Sequence, residues 1–379
     1  MTDWVVPFNR ASVVGNELAY VEQALANGHI SGDGPFTQRC EELLEQSLGV
    51  PRALLTTSCT HALELAAILL DVEPGDEVVV PAFTFVSCAN AVALRGARIV
   101  FADVRPDTLN LDEERLEPLV GRRTRAVVAV HYAGVGCDVE TIGALATAQG
   151  AALIEDNAHG LYGRLGGRPL GTLGTLATLS FHETKNFTCG EGGALLVNDQ
   201  SLVPRAEIVR DKGTNRKAFF RGDVDRYTWI DLGSSYVPSD LLAAFLAAQL
   251  EARERIQGAR RALWERYAVE LADWANAAAT RLPVVPEEVE HAYHLFHLLL
   301  PSLDARTRLI EHLRERKILA VFHYVPLHLS ELGRRHGGAS GACPVAEDVA
   351  DRLVRLPFYT GMTQQEQDRV IEAVTSFSP

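Results

Sequence analysis

From residue 50 to about residue 200, short β-rich apolar runs alternate with stretches whose apolar residues recur at helical spacing, the pattern of a sheet flanked by helices. The runs are EVVV (77–80), ARIVFADV (97–104), RAVVAV (125–130), AALIE (151–155), ATLSF (177–181) and GALLV (193–197). Their apolar continuity predicts strands buried on both faces, hence a mostly parallel sheet. After Ser239 the stretch SDLLAAFLAAQLEARERIQGARRALWERYAVELADW keeps apolar residues at helical spacing and is expected to lead into a second domain. Beyond it, strand-like runs (HLFHLLL, ILAVFHYVP) mix with helical ones (ARTRLIEHLRERK, QQEQDRVIEAV), which suits a smaller α+β domain. The chain has 379 residues and no internal repeat, so two domains are expected: 1–245, holding an N-terminal segment and the large sheet, and 246–379.

Composition narrows the functional classes. With 47% apolar and 22% charged residues and no low-complexity tract, the chain is neither disordered nor fibrous. The 49 acidic residues exceed the 36 basic ones, giving a net charge of −13, which excludes a general affinity for nucleic acid or anionic membranes. An anionic ligand must be held by a local site. Cys40, Cys59, Cys88, Cys137, Cys189 and Cys343 form no Cys-x-x-Cys pair and no zinc-spaced cluster, so reduced thiols and no metal are expected. MTDWVVPFNRAS lacks the basic-then-apolar pattern of an export signal, and no apolar run reaches the ~18–20 residues of a membrane span, so a cytoplasmic location is expected. Only four of the basic residues are lysines: Lys185, Lys212, Lys217 and Lys317. If the chemistry needs a reactive amine, there are four candidates.

Neither Gly-x-Gly-x-x-Gly after a strand nor a P-loop motif is present, so a phosphate must be held another way. LLTTSCTH (54–61) runs directly into ALELAAILL, placing small hydroxyl residues at a helix N-terminus, where free N–H groups and the dipole favour a phosphate; taken alone, the segment favours a simple cap by Ser58 or Thr60. IEDNAH (154–159) ends a buried run with two carboxylates, at the strand end where parallel sheets bind ligands. SFHETK (180–185) puts a lysine just beyond another strand, followed by the Gly-rich turn CGEGG (189–193). PAFTF (81–85) offers Phe85 as a stacking aromatic. A phosphate cup, a strand-end aspartate, a strand-end lysine and a stacking aromatic together suit pyridoxal 5′-phosphate, which needs a lysine to bind its aldehyde and an aspartate to keep its ring nitrogen protonated.

The segments SCTHALELA, GDEVVVPAFTFVS, FADVRPDTLNLD, IEDNAHG, SFHETKNFTCGEGGALLVND, VRDKGTNR, GSSYVPSD and VFHYVPLH, in this order, resemble the DegT/DnrJ/EryC1/StrS sugar aminotransferases, and most closely the branch typified by dTDP-4-amino-4,6-dideoxygalactose transaminase. The resemblance implies the aspartate aminotransferase-like fold of type I pyridoxal-phosphate transferases, with a mixed, mostly parallel sheet in the large domain. It implies Lys185 as the catalytic lysine, Asp156 as partner of the ring nitrogen, His159 near the cofactor's 3′-oxygen and Phe85 on the ring. Cys59, Thr60, His61 and Ser180 fall at phosphate-binding positions. Ser235 replaces the asparagine of the family's Gly-x-Asn-Tyr motif, which reaches the neighbouring subunit's phosphate, so a homodimer is implied. Lys212, Arg216 and Arg221 match the segment expected to bind the sugar nucleotide, and His323 is a further substrate-binding candidate. The implied reaction passes the amine of L-glutamate to C4 of a dTDP-4-keto-6-deoxyhexose, giving a galacto or gluco 4-amino sugar. The alternatives are a sugar dehydratase, whose relatives carry histidine in place of the lysine, and a non-catalytic sugar-nucleotide-binding regulator on the same fold.

Overall fold

The computed structural model describes residues 4–378. Its central sheet has seven strands: β1 (Arg52–Thr56), β2 (Glu77–Pro81), β3 (Arg98–Ala102), β4 (Thr124–Val130), β5 (Ala152–Asp156), β6 (Leu176–Ser180) and β7 (Gly193–Val197). They lie in the order β1-β7-β6-β5-β4-β2-β3. Only β7 is antiparallel to its neighbours; every other pairing is parallel. Each of the six predicted runs forms a strand. β1 has no counterpart among them: its five residues start on Arg52 and pass into the hydroxyl-rich TTS segment, so no apolar run stands out.

The helices around this sheet are α1 (Glu17–Ala26), α2 (Pro35–Leu48), α3 (Cys59–Leu69), α4 (Val86–Ala93), α5 (Val139–Ala148), α6 (Val203–Arg210), α7 (Arg216–Arg221), α8 (Asp240–Glu251) and α9 (Arg253–Glu270). Strand side chains alternate between two apolar layers, as the pleat requires. Leu54, Val78, Val80, Val128, Ile154 and Leu195 share a core with α3, α4 and α6. On the other face Ala53, Leu55, Leu179 and Leu196 pack with α1, α2 and α8, and Val79, Val127 and Leu153 pack with α5. Burial on both faces explains why the runs read as continuously apolar.

The second domain carries a small antiparallel sheet, in the order β8 (His297–Leu299), β10 (Leu353–Arg355), β9 (Val321–Phe322), packed against α10 (Leu303–Glu315), α11 (Pro344–Arg352) and α12 (Gln364–Thr375). HLFHLLL and ILAVFHYVP pair only over these short ladders; the residues beside them, including His294 and His323, reach the cleft between the domains. A break at Ala252 (φ −84°, ψ 13°) divides the long predicted helix. The expected boundary at 245/246 falls inside α8, whose Leu246, Ala247 and Leu250 belong to the α1–α2 core. We therefore place the change of domain in α9, where Ile256 joins the first core and Leu263 and Tyr267 the second. The N-terminal segment also divides: Val6 bridges Ile318 and is buried in the second core. Among the described residues no helix is long and apolar enough to cross a membrane.

The parallel strands all end on one edge of the sheet, where β7 begins. That edge collects the segments after β1, β2, β5 and β6 in front of the second domain, at the position where ligands enter such sheets.

Candidate active site

A cavity of about 620 Å³ opens at this edge. At one end is the N-terminus of α3. The Ser58 hydroxyl accepts the His61 N–H at 3.1 Å and the Ser58 carbonyl accepts the Ala62 N–H at 3.1 Å, so Ser58 is the cap. The N–H groups of Cys59 and Thr60 then have no acceptor among the described residues and lie at the positive end of the helix. Thr60 Oγ shares a hydrogen bond of 2.7 Å with Ser87 Oγ, and both side chains line the cavity. Ser180 lies on the same wall. His61 is placed differently from Cys59 and Thr60: its N–H bonds the cap, and its ring bonds Thr57 and packs edge-on against Tyr236, away from the residues lining the cavity.

The two carboxylates of β5 separate because successive residues face opposite sides of a strand. Glu155 points away from the cavity and accepts hydrogen bonds from His131 Nε2 (2.8 Å) and from the backbone N–H groups of Gly171 (2.8 Å), Leu173 (2.7 Å) and Gly174 (2.6 Å). Burial works to raise its pKa, but His131 and the backbone donors outweigh that and hold it below the usual range. Asp156 faces the cavity. Its Oδ1 accepts the Ala158 N–H at 3.1 Å and its Oδ2 the Cys88 thiol at 2.9 Å. Burial, with Asp156 nearby, pushes the Cys88 and Cys59 thiols up, so both stay protonated beside that carboxylate.

Lys185 follows β6 in a tight turn in which its N–H bonds the His182 carbonyl at 2.9 Å. Burial lowers its ammonium pKa to about 8, with the Arg355 charge adding to the effect and Asp156 opposing it. His159 accepts the Ala133 N–H through Nδ1 (3.3 Å) and stacks on His294, ring centroids 4.1 Å apart; His323 lies parallel to it at 6.4 Å. His323 Nδ1 meets the Tyr132 hydroxyl at 3.1 Å. Burial, with the Lys185 and Arg355 charges, drives all three imidazoles far below their ordinary pKa, so they are neutral at physiological pH. Phe85 lines the mouth, 57% exposed. Arg355, on β10 of the second domain, completes the wall.

Ser235, Lys212, Arg216 and Arg221 are not brought to this cavity. They line a second one of about 720 Å³, with Asp33 and Arg52. Lys212 pairs with Asp211 (2.8 Å) and Arg221 with Glu207 (3.1 Å) and Asp223 (3.0 Å), whereas Arg216 lies over the Phe220 ring at 5.2 Å. Beside it Phe220, Tyr227, Trp229, Ile230 and Leu232 are more than half exposed.

Sequence reasoning missed Arg355, His294, Tyr132, Tyr324 and Cys88. Arg355, Tyr132 and Cys88 stand alone in ordinary apolar contexts, so no local pattern marks them, whereas Tyr324 lies within the VFHYVPLH segment. For His294 a signal existed: HAYHLFH carries three histidines in seven residues.

The model of the DegT/DnrJ/EryC1/StrS aminotransferase family matches residues 12–375. An uncharacterised protein of Methanocaldococcus jannaschii, MJ1066, is 33% identical over 349 residues, which are 90% of this chain and 89% of that one. Among solved structures, the aminotransferase TlmJ of Streptoalloteichus hindustanus superposes with a TM-score of 0.90 at 31% identity, covering 98% of each chain. The putative sugar aminotransferase Spr1654 of Streptococcus pneumoniae, in its pyridoxal-phosphate form, does so with a TM-score of 0.90 at 25% identity over 98% of each chain. With the match spanning both domains and the cavity between them, this chain belongs to the DegT/DnrJ/EryC1/StrS aminotransferases, enzymes that depend on pyridoxal 5′-phosphate.

Proposed function

We propose that this protein transfers the amino group of L-glutamate to C4 of a dTDP-4-keto-6-deoxyhexose, giving the dTDP-4-amino-4,6-dideoxyhexose, and that it works as a homodimer. The observation that carries this reading is the convergence of Lys185, Asp156 and the two free N–H groups of α3 on one cavity. The residues present fit pyridoxal phosphate. Gly193 lets β7 approach α3 so closely that a Cβ there would lie 2.6 Å from the Ser58 carbonyl oxygen, which keeps the helix N-terminus open to the cavity. When bound, the cofactor supplies an electron sink that makes the donor's Cα–H acidic.

The chain's own residues do the rest. The N–H groups of Cys59 and Thr60, with the Thr60 and Ser180 hydroxyls, hold the phosphate. Asp156, oriented by the Ala158 N–H and the Cys88 S–H, would hold a proton on the ring nitrogen. Phe85, at the mouth, would pack on the ring, and neutral His159 would serve the 3′-oxygen. Lys185, with a pKa of about 8, is roughly one-tenth free amine at pH 7. It takes the proton from Cα of glutamate and, in the return half-reaction, delivers one to C4 of the sugar. Neutral His323 offers hydrogen bonds to sugar hydroxyls without adding charge.

The second cavity supports the dimer. Arg216, which pairs with no carboxylate among the described residues, suits, with Lys212 and Arg221, the diphosphate of a nucleotide sugar. Its rim of exposed aromatic and aliphatic side chains suits a second copy of the chain, against which Ser235 would complete the phosphate site. The test is incubation with L-glutamate and dTDP-4-keto-6-deoxyglucose followed by NMR of the product. A C4 amine is expected, and the C4 proton couplings give its stereochemistry. Bleaching of the yellow protein by glutamate with no amine on the sugar would overturn the substrate assignment.

A further inference from the structure

Three imidazoles, His159, His294 and His323, line the cavity beside Lys185 and Arg355, the latter with no acceptor for its buried Nε among the described residues. In all three rings Nδ1 is engaged by a neighbour, whereas Nε2 has no partner among the described residues. These Nε2 atoms are not sealed off, as Nδ1 of His291, His297 and His328 are, so each opens on the cavity that its residue lines. A neutral imidazole carries one proton, and the partner of Nδ1 therefore decides what Nε2 offers a ligand.

The three partners decide differently. At His159, Nδ1 accepts the Ala133 N–H (3.3 Å), so the ring proton is on Nε2. At His323, Nδ1 meets the hydroxyl of buried Tyr132 (3.1 Å), which has no other partner among the described residues; the hydroxyl proton goes to Nδ1, and His323 too carries N–H at Nε2. At His294 the polarity is reversed. Its Nδ1 faces Oδ1 of Asn186 (3.0 Å), and the Asn186 amide is held that way round because its Nδ2 donates to the Ala292 carbonyl (2.6 Å) and to Gln257 Oε1 (3.2 Å). An amide turned over would set oxygen against the Ala292 carbonyl oxygen. His294 therefore donates from Nδ1 and presents a bare Nε2 lone pair to the cavity, on a ring stacked 4.1 Å from that of His159.

An acceptor needs a donor, and most groups that enter this cavity have none to give. The cofactor's phosphate and 3′-oxygen accept, and its ring N–H would be taken by Asp156. L-Glutamate brings two carboxylates, which accept, and an amine that is consumed in the reaction. The hydroxyls of a keto-sugar are left. Asn186 follows Lys185 directly in the chain and bonds His294, which keeps the acceptor near the reacting amine and so near the carbons that flank the ketone. In a 4-keto-6-deoxyhexose C5 bears a methyl group, whereas C3 bears a hydroxyl. We infer that His294, its tautomer fixed by Asn186, accepts a hydrogen bond from the C3 hydroxyl of the amine-accepting sugar and so selects substrates that carry it. This inference rests on the keto-sugar reading above. Asn186 acts through His294 and is a positioning residue.

Two measurements on cofactor-loaded protein test it. In nitrogen NMR of protein labelled at its histidine rings, His159 and His323 should carry N–H at Nε2 and His294 at Nδ1, and Asn186→Ala should let N–H appear at Nε2 of His294. N–H at Nε2 of His294 in the unaltered protein overturns the inference. In steady-state kinetics the unaltered protein should favour dTDP-4-keto-6-deoxyglucose over its 3-deoxy analogue about 10-fold in kcat/KM, because the analogue leaves a cavity acceptor unpaired. His294→Phe keeps a stacked ring without the acceptor and should bring the two sugars within threefold while KM for glutamate stays within threefold. His294→Gln, whose amide oxygen accepts, should keep part of the preference and serves if the phenylalanine variant does not fold. No preference in the unaltered protein, or a preference undiminished in His294→Phe, overturns the assignment. If the unaltered protein aminates neither sugar, the substrate reading fails, whereas a bare Nε2 on His294 in that same protein upholds the acceptor and assigns its hydroxyl to another ligand.

Discussion

Replacement of Gly193 by alanine tests the architecture of the phosphate site without touching any polar side chain. Gly193 opens β7, pairing with Thr56 of β1 and Ser180 of β6, and by the period of two it faces the same layer as Leu195 and Val197, toward α3. A Cβ there would sit 2.6 Å from the Ser58 oxygen and closer still to the Cys59 nitrogen and the Ser58 carbonyl carbon, whereas ordinary contact begins at 3.4 Å, so strand and helix must part by about 1 Å. Both sides of the clash are backbone, which places the cost near the upper end of the overpacking range, about 3 kcal/mol. The stiffer unfolded chain returns about 0.4–1 kcal/mol of that, leaving about 2 kcal/mol of net destabilisation. The same shift moves the Cys59 and Thr60 N–H groups relative to Thr60 Oγ, Ser87 and Ser180. Loss of one charge-assisted hydrogen bond, at about 1.5–3 kcal/mol, weakens cofactor binding roughly 10- to 100-fold. Gly190→Ala is the control: at φ 88° with nothing within 4 Å it stores only backbone strain, on the order of 1 kcal/mol, and should leave the cofactor untouched. Urea unfolding of the apo-proteins and fluorescence titration with pyridoxal phosphate measure the two quantities. Cofactor affinity of Gly193→Ala within threefold of the parent would refute the argument that this close approach shapes the phosphate cup.

Other outcomes follow from the same geometry. In the apo-protein a limiting amine-selective reagent should label Lys185 with a pH midpoint near its pKa of about 8; peptide mapping that finds a midpoint above 10 would contradict the desolvated site. His159, His294, His297 and His323 are buried neutral, with His297 pushed down to about 3, so the unfolded chain binds their protons first as pH falls below about 6.5. Stability should therefore fall between pH 6.5 and 4.5, by up to about 1.4 kcal/mol per pH unit for each histidine, and His294→Asn should flatten the slope; a urea midpoint unchanged over that window would count against the cluster. Glu155→Ala strands the Gly171, Leu173 and Gly174 N–H donors and should cost about 3–5 kcal/mol in chemical denaturation, a loss below 1 kcal/mol being incompatible with the hydrogen bonds described.

By itself the sequence determined the parallel sheet, because strands covered on both faces must be apolar at consecutive positions, and six such runs stand out from 77 to 197. It also marked Asp156 and Lys185, because a carboxylate ending an apolar run and a lysine in a chain with three others are conspicuous without any geometry. What it left open was which of two adjacent groups does what. Glu155 and Asp156 are chemically alike in the string; only the pleat of β5 sends one to a backbone turn and the other to the cavity. Ser58 and Thr60 are equally plausible caps until the helix start is placed, after which Ser58 caps, Thr60 faces Ser87 and His61 turns away. Arg355 is one of 32 arginines and has no motif of its own. It becomes singular only when folding carries β10 to the mouth of a cleft built 170 residues earlier at Lys185, because an unmatched donor is a property of what surrounds a residue and not of the residues beside it in the chain.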